Sequence, residues 1–318
     1  MIANGRFMLL LGLFSTLPAA MAALVPSAPV QAAVADQPET RITHSFLATG
    51  QETYVLDDAG KVTWRYPRNT RDGWILPSGN ALLAVTKCGD YPHGAVVEVT
   101  HQGKTVFEFK GTQSEVNTVE PLEGDRVLLT EAGDHPRLLE VDRAGKIVVE
   151  VPLSAQTKDH HLQTRMARKL ANGNYLVPQL LDRVVREYTP KGKVVWEVSV
   201  PSPSMPFTAI RLDNGNTLID CTHGDRVIEV DSAGKTVWEL TNADLHGPLI
   251  HDACGGQRLP NGDTVITSYA IGKDHLHLFE VTPQKNIVWT YSPADKPGVH
   301  ELQILTTNGK PLTGRPLR

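Results

Sequence analysis

The chain has 318 residues, 41% of them hydrophobic, and a formal net charge of −4. That length and apolar share support a packed core, and all-β rings of this size often fold as one domain. The acidic balance, with no basic run and no aromatic-basic interleaving, argues against nucleic acid as a partner.

At the N-terminus Arg6 precedes an apolar run from Phe7 to Phe14, and small residues follow at Ala20-Met21-Ala22. This reads as a secretory signal peptide over residues 1–22, cut after Ala22, with Ala32 and Ala35 as further sites. The apolar run is too short to span a membrane, and no cysteine follows the cut to carry a lipid. Residues 23–40 are rich in Ala, Pro and Val and are expected to form a disordered leader. The protein is therefore expected to be periplasmic or secreted. Cys88, Cys221 and Cys254 are too scattered for a disulfide framework. They read as small buried hydrophobes, or as one pair formed after export.

From residue 41 onward one pattern recurs six times: Asp or Thr, two residues, Gly-Lys, two residues, then Trp. The first copy is Asp57-Asp58-Ala59-Gly60-Lys61-Val62-Thr63-Trp64. The copies end at Trp64, Phe107, Val149, Trp196, Trp238 and Trp289, spaced by 43, 42, 47, 42 and 51 residues. A period of about 40–50 residues built from short strands marks the blade of a β-propeller. The run before each turn alternates, as in Val227-Ile228-Glu229-Val230, which is strand patterning. A second hairpin signal is interleaved, as in Asn172-Gly173-Asn174 and Asn214-Gly215-Asn216. Two hairpins per repeat give four strands, A to D from the channel outward. Asn-Gly joins A to B and Gly-Lys joins C to D.

Thr43 through Asp57 aligns without gaps to Thr217 through Asp231. The N-terminus therefore supplies strands B to D of one blade, over residues 43–66. The missing A strand is available in residues 300–306. The expectation is an all-β, six-bladed propeller of four-stranded antiparallel blades over residues 41–318, closed by both termini in one blade. The repeat-end Trp residues are expected to pack between blades, with the indole N–H on a neighbouring turn. A Glu recurs at one register, at Glu98, Glu140, Glu187, Glu229 and Glu280. It reads as a solvated or turn-pairing strand position.

Nine of the twelve histidines map to one face of this ring, the face of the B–C loops and D–A crossovers. His93, His135, His223 and His275 fall in B–C loops, and His160, His161, His246, His251 and His300 in crossovers or at the start of inner strands. Long loops on one face of a repeat ring mark a binding face. The first residues of the inner strands form a polar, titratable funnel with one apolar sector at Met205-Pro206-Phe207. The candidate catalytic residues are His161, His251 and His300. The candidate ligand contacts are Arg71, Asp72, Glu115, Arg165, Asp252 and Glu301. Imidazoles at a channel mouth suit a base, a nucleophile or a metal ligand, and a wet polar mouth without chemistry is the plainer reading. Mouth residues carry little packing, so replacing the three histidines with Ala is expected to leave stability little changed. The opposite face offers mainly tight turns.

The Asp-x-x-Gly-Lys-x-x-Trp element resembles the tryptophan-docking repeat of the propellers that bind pyrroloquinoline quinone. The resemblance covers nearly the whole mature chain at the level of the blade. The eight blades and the calcium and base site of the quinone-dependent dehydrogenases are not visible in this sequence. The inner-strand ending, as in Leu76-Pro77-Ser78-Gly79-Asn80 and Leu259-Pro260-Asn261-Gly262-Asp263, looks closer to bacterial arylsulfotransferase propellers. That resemblance implies a six-bladed exported enzyme with a channel histidine as sulfuryl acceptor, and by position His161, His251 and His300 with Arg71 or Arg165 take those parts. This chain is much shorter than those enzymes. Three functions compete: a binding module for a small molecule, glycan or protein; an arylsulfotransferase-like transferase; and a hydrolase or lyase with a metal on channel His. No cofactor is specified by the residues.

Overall fold

The computed structural model describes residues 41–246, 250–269, 277–293 and 297–318. The expected signal peptide and leader, and His275, lie outside the described residues. Alternating runs and turn residues produce six antiparallel sheets. The first blade holds β1 (His44–Gly50), β2 (Thr53–Leu56) and β3 (Val62–Tyr66). The second holds β4 (Thr70–Ile75), β5 (Ala81–Val85), β6 (Ala95–Val99) and β7 (Thr105–Lys110). The third holds β8 (Glu115–Leu122), β9 (Arg126–Ala132), β10 (Arg137–Val141) and β11 (Ile147–Pro152). The fourth holds β12 (Arg168–Lys169), β13 (Tyr175–Gln179), β14 (Val184–Tyr188) and β15 (Val194–Ser199). The fifth holds β16 (Met205–Arg211), β17 (Thr217–Thr222), β18 (Arg226–Val230) and β19 (Thr236–Thr241). The sixth holds β20 (Ala253–Arg258), β21 (Thr264–Ser268), β22 (Leu278–Val281) and β23 (Ile287–Tyr291). Finally β24 (Val299–Thr307) pairs with β1 as the inner strand of the first blade, and β25 (Lys310–Pro311) adds a short fifth strand. The sixfold ring and its closure by both ends of the propeller follow the sequence pattern. The Asn308-Gly309 turn differs: it leads into β25 rather than into a B strand.

The turn chemistry explains the alternation of Asp and Thr. Asp57 Oδ1 accepts from the backbone of Ala59 and Lys61 at 3.0 and 2.8 Å, and Thr100 Oγ1 takes the same role toward Lys104 at 3.2 Å. Such side chains mimic a backbone turn. The Gly of the repeat sits in the left-handed region, as at Gly234 with φ 81°, and Lys285 occupies that region in the last copy at φ 69°. Its ammonium is held by Asp244 at 2.7 Å.

The strand alternation sends successive side chains to opposite neighbours. Leu82 packs toward the third blade, with Val119 and Leu129, while Leu83 packs toward the first, with Trp64 and Tyr66. Each of the six joints thus holds its own apolar cluster. The docking expected of the Trp residues is present: the indole N–H of Trp64, Trp196 and Trp238 donates to His101, Ser232 and Pro283 carbonyls of the next blade at 3.1, 2.9 and 2.9 Å.

The recurring Glu residues are not solvated. All five are buried and reach a basic side chain of the following blade, four of them an Arg or Lys and the last an imidazole: Glu98–Arg143, Glu140–Lys169, Glu187–Arg211, Glu229–Arg258 and Glu280–His44. The turn-pairing part of the expectation holds, since Asn80, Asn174 and Asn216 donate to them at 2.6, 2.7 and 2.7 Å. The first blade carries Val55 at this register and has no such clamp.

Candidate functional site

The inner strands and the segments before them bring one residue set from all six blades to the channel mouth. Asp159 caps a short 3-10 turn, His160–Leu162, by accepting from His161 N at 3.0 Å. The His-His pair therefore lies on the turn that leads into the inner strand, and its rings diverge. His160 Nε2 meets Asp134 at 3.2 Å, while His161 Nδ1 meets both Glu115 oxygens at 3.2 Å and Arg71 Nη2 at 3.3 Å. Glu115 is shared further with Lys87 at 3.2 Å and Arg71 at 3.7 Å. Burial alone would raise the Glu115 carboxyl. The hydrogen bond with His161 and the Arg71 charge outweigh it and hold the group at about 2.

Beside this network His300 is enclosed by rings. It stacks on Tyr269 with centroids 4.3 Å apart, and Phe207 stacks at 5.8 Å. Gln51 fixes the Tyr269 hydroxyl at 2.9 Å. Burial, then the charges of Arg71 and Arg165, push the His300 imidazole well below its usual range, so it stays neutral. Arg165 lies over Phe207 at 5.6 Å and is fully buried, and burial followed by the nearby Arg71 charge pulls its guanidinium down to about 9. Burial likewise lowers Arg71.

The structure thus brings together Arg71, Glu115, His161, Arg165 and His300. The other four residues make their contacts elsewhere. Asp72 and Glu301, expected at the mouth, are fully buried one step further down the inner strands. There Arg168 and Arg318 bond Asp72 at 2.8 and 2.7 Å and lie 3.7 and 3.9 Å from Glu301. His251 and Asp252 sit on the rim between the fifth and sixth blades, within 4.0 Å of Asp225 and 3.9 Å of His223 respectively. Asp252 Oδ1 accepts from His223 N at 2.7 Å and Thr222 Oγ1 at 3.0 Å. Lys87 and Tyr269 join the mouth without having been singled out from the sequence. Both lie within two residues of the end of a B strand, a placement the repeat map contains. Among the described residues no three His, Cys, Asp or Glu side chains converge as metal ligands. The three cysteines are free thiols.

The opposite face is less bare than the turns suggest. Residues 312–318 run across it and wall a cavity of about 890 Å³ with Leu170, Leu212 and Leu259. The cations around it are paired: Arg211 with Glu187, Arg258 with Glu229, Arg315 with Glu120. A second cavity, about 470 Å³, lies on the mouth face beside Lys87, His93, His135 and His160.

A family model described as outer membrane protein assembly factor BamB, PQQ_2, matches residues 49–247. No curated protein matches the chain. Among solved structures, a protein of unknown function from Bacteroides caccae aligns over 82% of this chain and 98% of its own, at 20% identity and a TM-score of 0.72. Catalytically inactive virginiamycin B lyase from Staphylococcus aureus, with quinupristin, aligns over 82% and 92% at 14% identity and 0.55. The periplasmic gluconolactonase of Pseudomonas aeruginosa aligns over 83% and 99% at 11% identity and 0.56. At these identities the likeness is one of fold.

Proposed function

The chain belongs to the PQQ_2 family, described as outer membrane protein assembly factor BamB, and we propose that it is an exported binding protein that takes a small molecule at the channel mouth. One observation carries this reading. Every blade contributes to one polar cluster at the mouth: His300, Arg71, Glu115, His161 with Arg165, Phe207, and Tyr269. The Glu salt bridges of the repeat join neighbouring blades pairwise and the Asp72 network is sealed from solvent, whereas this cluster leaves an imidazole half exposed at its centre. Export rests on the Arg6 to Ala22 segment.

A second reading is an enzyme, arylsulfotransferase-like or a lyase or hydrolase, and one contact favours it. With its proton on Nδ1, His161 donates to Glu115 and presents Nε2 to solvent as a base or acceptor. A lyase and a lactonase share the fold, which does not fix the chemistry.

One experiment addresses both readings. The protein is isolated from its host, its intact mass is read, and thermal shifts are recorded against a panel of small molecules and glycans. The mass is expected to correspond to a chain beginning near Ala23. Stabilising compounds are expected to lose their effect on His161→Ala, whose unliganded midpoint stays the same. Retained binding with lost turnover of the compound in that variant would favour the enzyme. Equal binding to both proteins, or a retained Met1, sinks the corresponding part of the proposal.

A further inference from the structure

Resting on that mouth site, we infer that its ligand carries an anionic oxo group, a carboxylate, sulfate or phosphate, which seats against Arg165 and Arg71. The argument starts from the other buried arginines. Arg168 and Arg318 are as deeply buried as Arg165, and each is matched by Asp72 at 2.8 and 2.7 Å. A buried cation is tolerated when it is paired and hydrogen-bonded. Arg165 is the exception. Its exposure is 1%, and among the described residues no carboxylate lies within ion-pair distance of it. Its one hydrogen bond runs from Nη1 to the Thr164 carbonyl at 2.7 Å, and its Nε has no partner.

The neighbours do not supply the missing charge. Glu115 is the carboxylate of the cluster, and it already serves Arg71, Lys87 and His161. Among the described residues the mouth therefore holds three cations, Arg71, Lys87 and Arg165, around the Glu115 carboxylate, with Asp159 acting on Arg165 only through its more distant charge. The Nδ1 of partly buried His300, an imidazole that feels the Arg165 charge, is itself buried and also lacks a partner among the described residues. Desolvation depresses Arg165 and Arg71, as expected of cations held without enough counter-charge. An oxyanion entering here would meet a guanidinium whose donors other than the Nη1 bond to Thr164 are uncommitted, and such charge-assisted hydrogen bonds are the strong ones. The cavity on the opposite face offers no comparable unpaired cation, since Arg211, Arg258 and Arg315 are each matched by a Glu.

The test uses the mature protein and probes of equal shape and different charge. Thermal shift and calorimetry are run with benzoate and its neutral isostere benzamide, and with inorganic sulfate and phosphate. Benzoate and at least one inorganic anion are expected to raise the midpoint, and benzamide is not. The anion effect is expected to shrink with added NaCl. Arg165→Gln is expected to weaken anion binding at least tenfold while leaving the unliganded midpoint unchanged or higher, because it removes an uncompensated buried charge. A merely structural arginine would lower that midpoint. Should Arg165→Gln not fold, Arg165→Lys, which keeps the charge, is expected to retain anion binding, and Arg71→Gln to weaken it. The inference is overturned if benzamide binds as well as benzoate, if no anion shifts the midpoint at tens of millimolar, or if Arg165→Gln and Arg71→Gln bind anions normally. Neutral compounds that bind in a His161-dependent way would leave the mouth site standing while removing its anion preference. Probes insensitive to both His161 and Arg165 would remove the site itself.

Discussion

His161 and His300 belong to one cluster under different constraints. The His161 side chain is 51% exposed, as is much of His251 at 56%, so both fit the expectation that mouth histidines carry little packing. His300 does not: it is enclosed between Tyr269 and Phe207, and His300→Ala would open a cavity. A triple Ala variant would therefore confuse lost binding with lost packing. The two titrating groups of the site also separate by pH. His300 has its folded value below the ordinary 6.5, so the unfolded chain binds the extra proton and stability falls as pH drops below 6.5. Glu115 has its folded value near 2 against an ordinary 4.5, so its contribution is present above pH 4.5 and is lost between there and 2. That second loss amounts to about 3 kcal/mol at most. Denaturant midpoints across this range are expected to fall in two steps. His300→Phe should flatten the first step and Glu115→Gln the second. An unchanged profile in both variants would assign the acid sensitivity to other groups.

At the scale of the strand and turn, the blade repeat does two jobs with the same few residues. The Asp or Thr closes its own turn, and the Trp eight positions into the repeat reaches the next blade's turn. The Glu of each C strand sits where the pairing with the D strand shifts register, as between Glu140 and Val141. This bulge is a designed feature of the repeat and not a defect. Glu140 is fully buried and contacts Arg126 at 2.7 Å, Lys169 at 2.5 Å and the Tyr175 hydroxyl at 2.6 Å. Glu140→Ala strands these partners and is expected to cost about 3 kcal/mol, whereas Trp196→Phe, which deletes one half-exposed hydrogen bond, costs about 1. Chemical denaturation of the two variants orders them. Equal losses would mean that the Glu belt carries no more than the indole bonds.

For the molecule as a whole, closure depends on residues from opposite ends of the propeller sequence. β24 pairs with β1 from His44 to Gly50, and His44 meets Glu280 at 2.8 Å across the last joint. The segment after β25 then turns under the ring. Arg318 enters the channel from below, stacks on Trp74 at 4.2 Å and bonds Asp72, while its carbonyl accepts from Arg168 at 2.9 Å. Asp72 thus joins the second blade, the fourth blade and the tail through one carboxylate. Arg318→Ala leaves Arg168 and the buried carboxylates partly uncompensated, and a loss of about 3–5 kcal/mol is expected. Thermal unfolding of that variant measures it. A midpoint within a degree of the parent would show that the tail is not part of the ring's stability.

The blade, the ring and its closure were legible in the sequence because they rest on local chemistry. Alternation and the Asn-Gly and Gly-Lys turns each act within about ten residues, the docking Trp reaches only one repeat further, and the repeat multiplies them. The candidate site was legible only as a face. Arg71 and His161 meet across 90 residues, and Asp72 and Arg318 across 246. The sequence lists the charges that reach the channel but not which of them face one another. Tertiary structure decided that Asp72 and Glu301 are neutralised by Arg168 and Arg318, and that His251 stands apart on the rim. It also left Arg165 buried with no carboxylate within ion-pair distance among the described residues. Pairing in a closed ring depends on the depth at which each side chain leaves its strand, and one residue's difference along an inner strand separates the open mouth from the sealed channel below it.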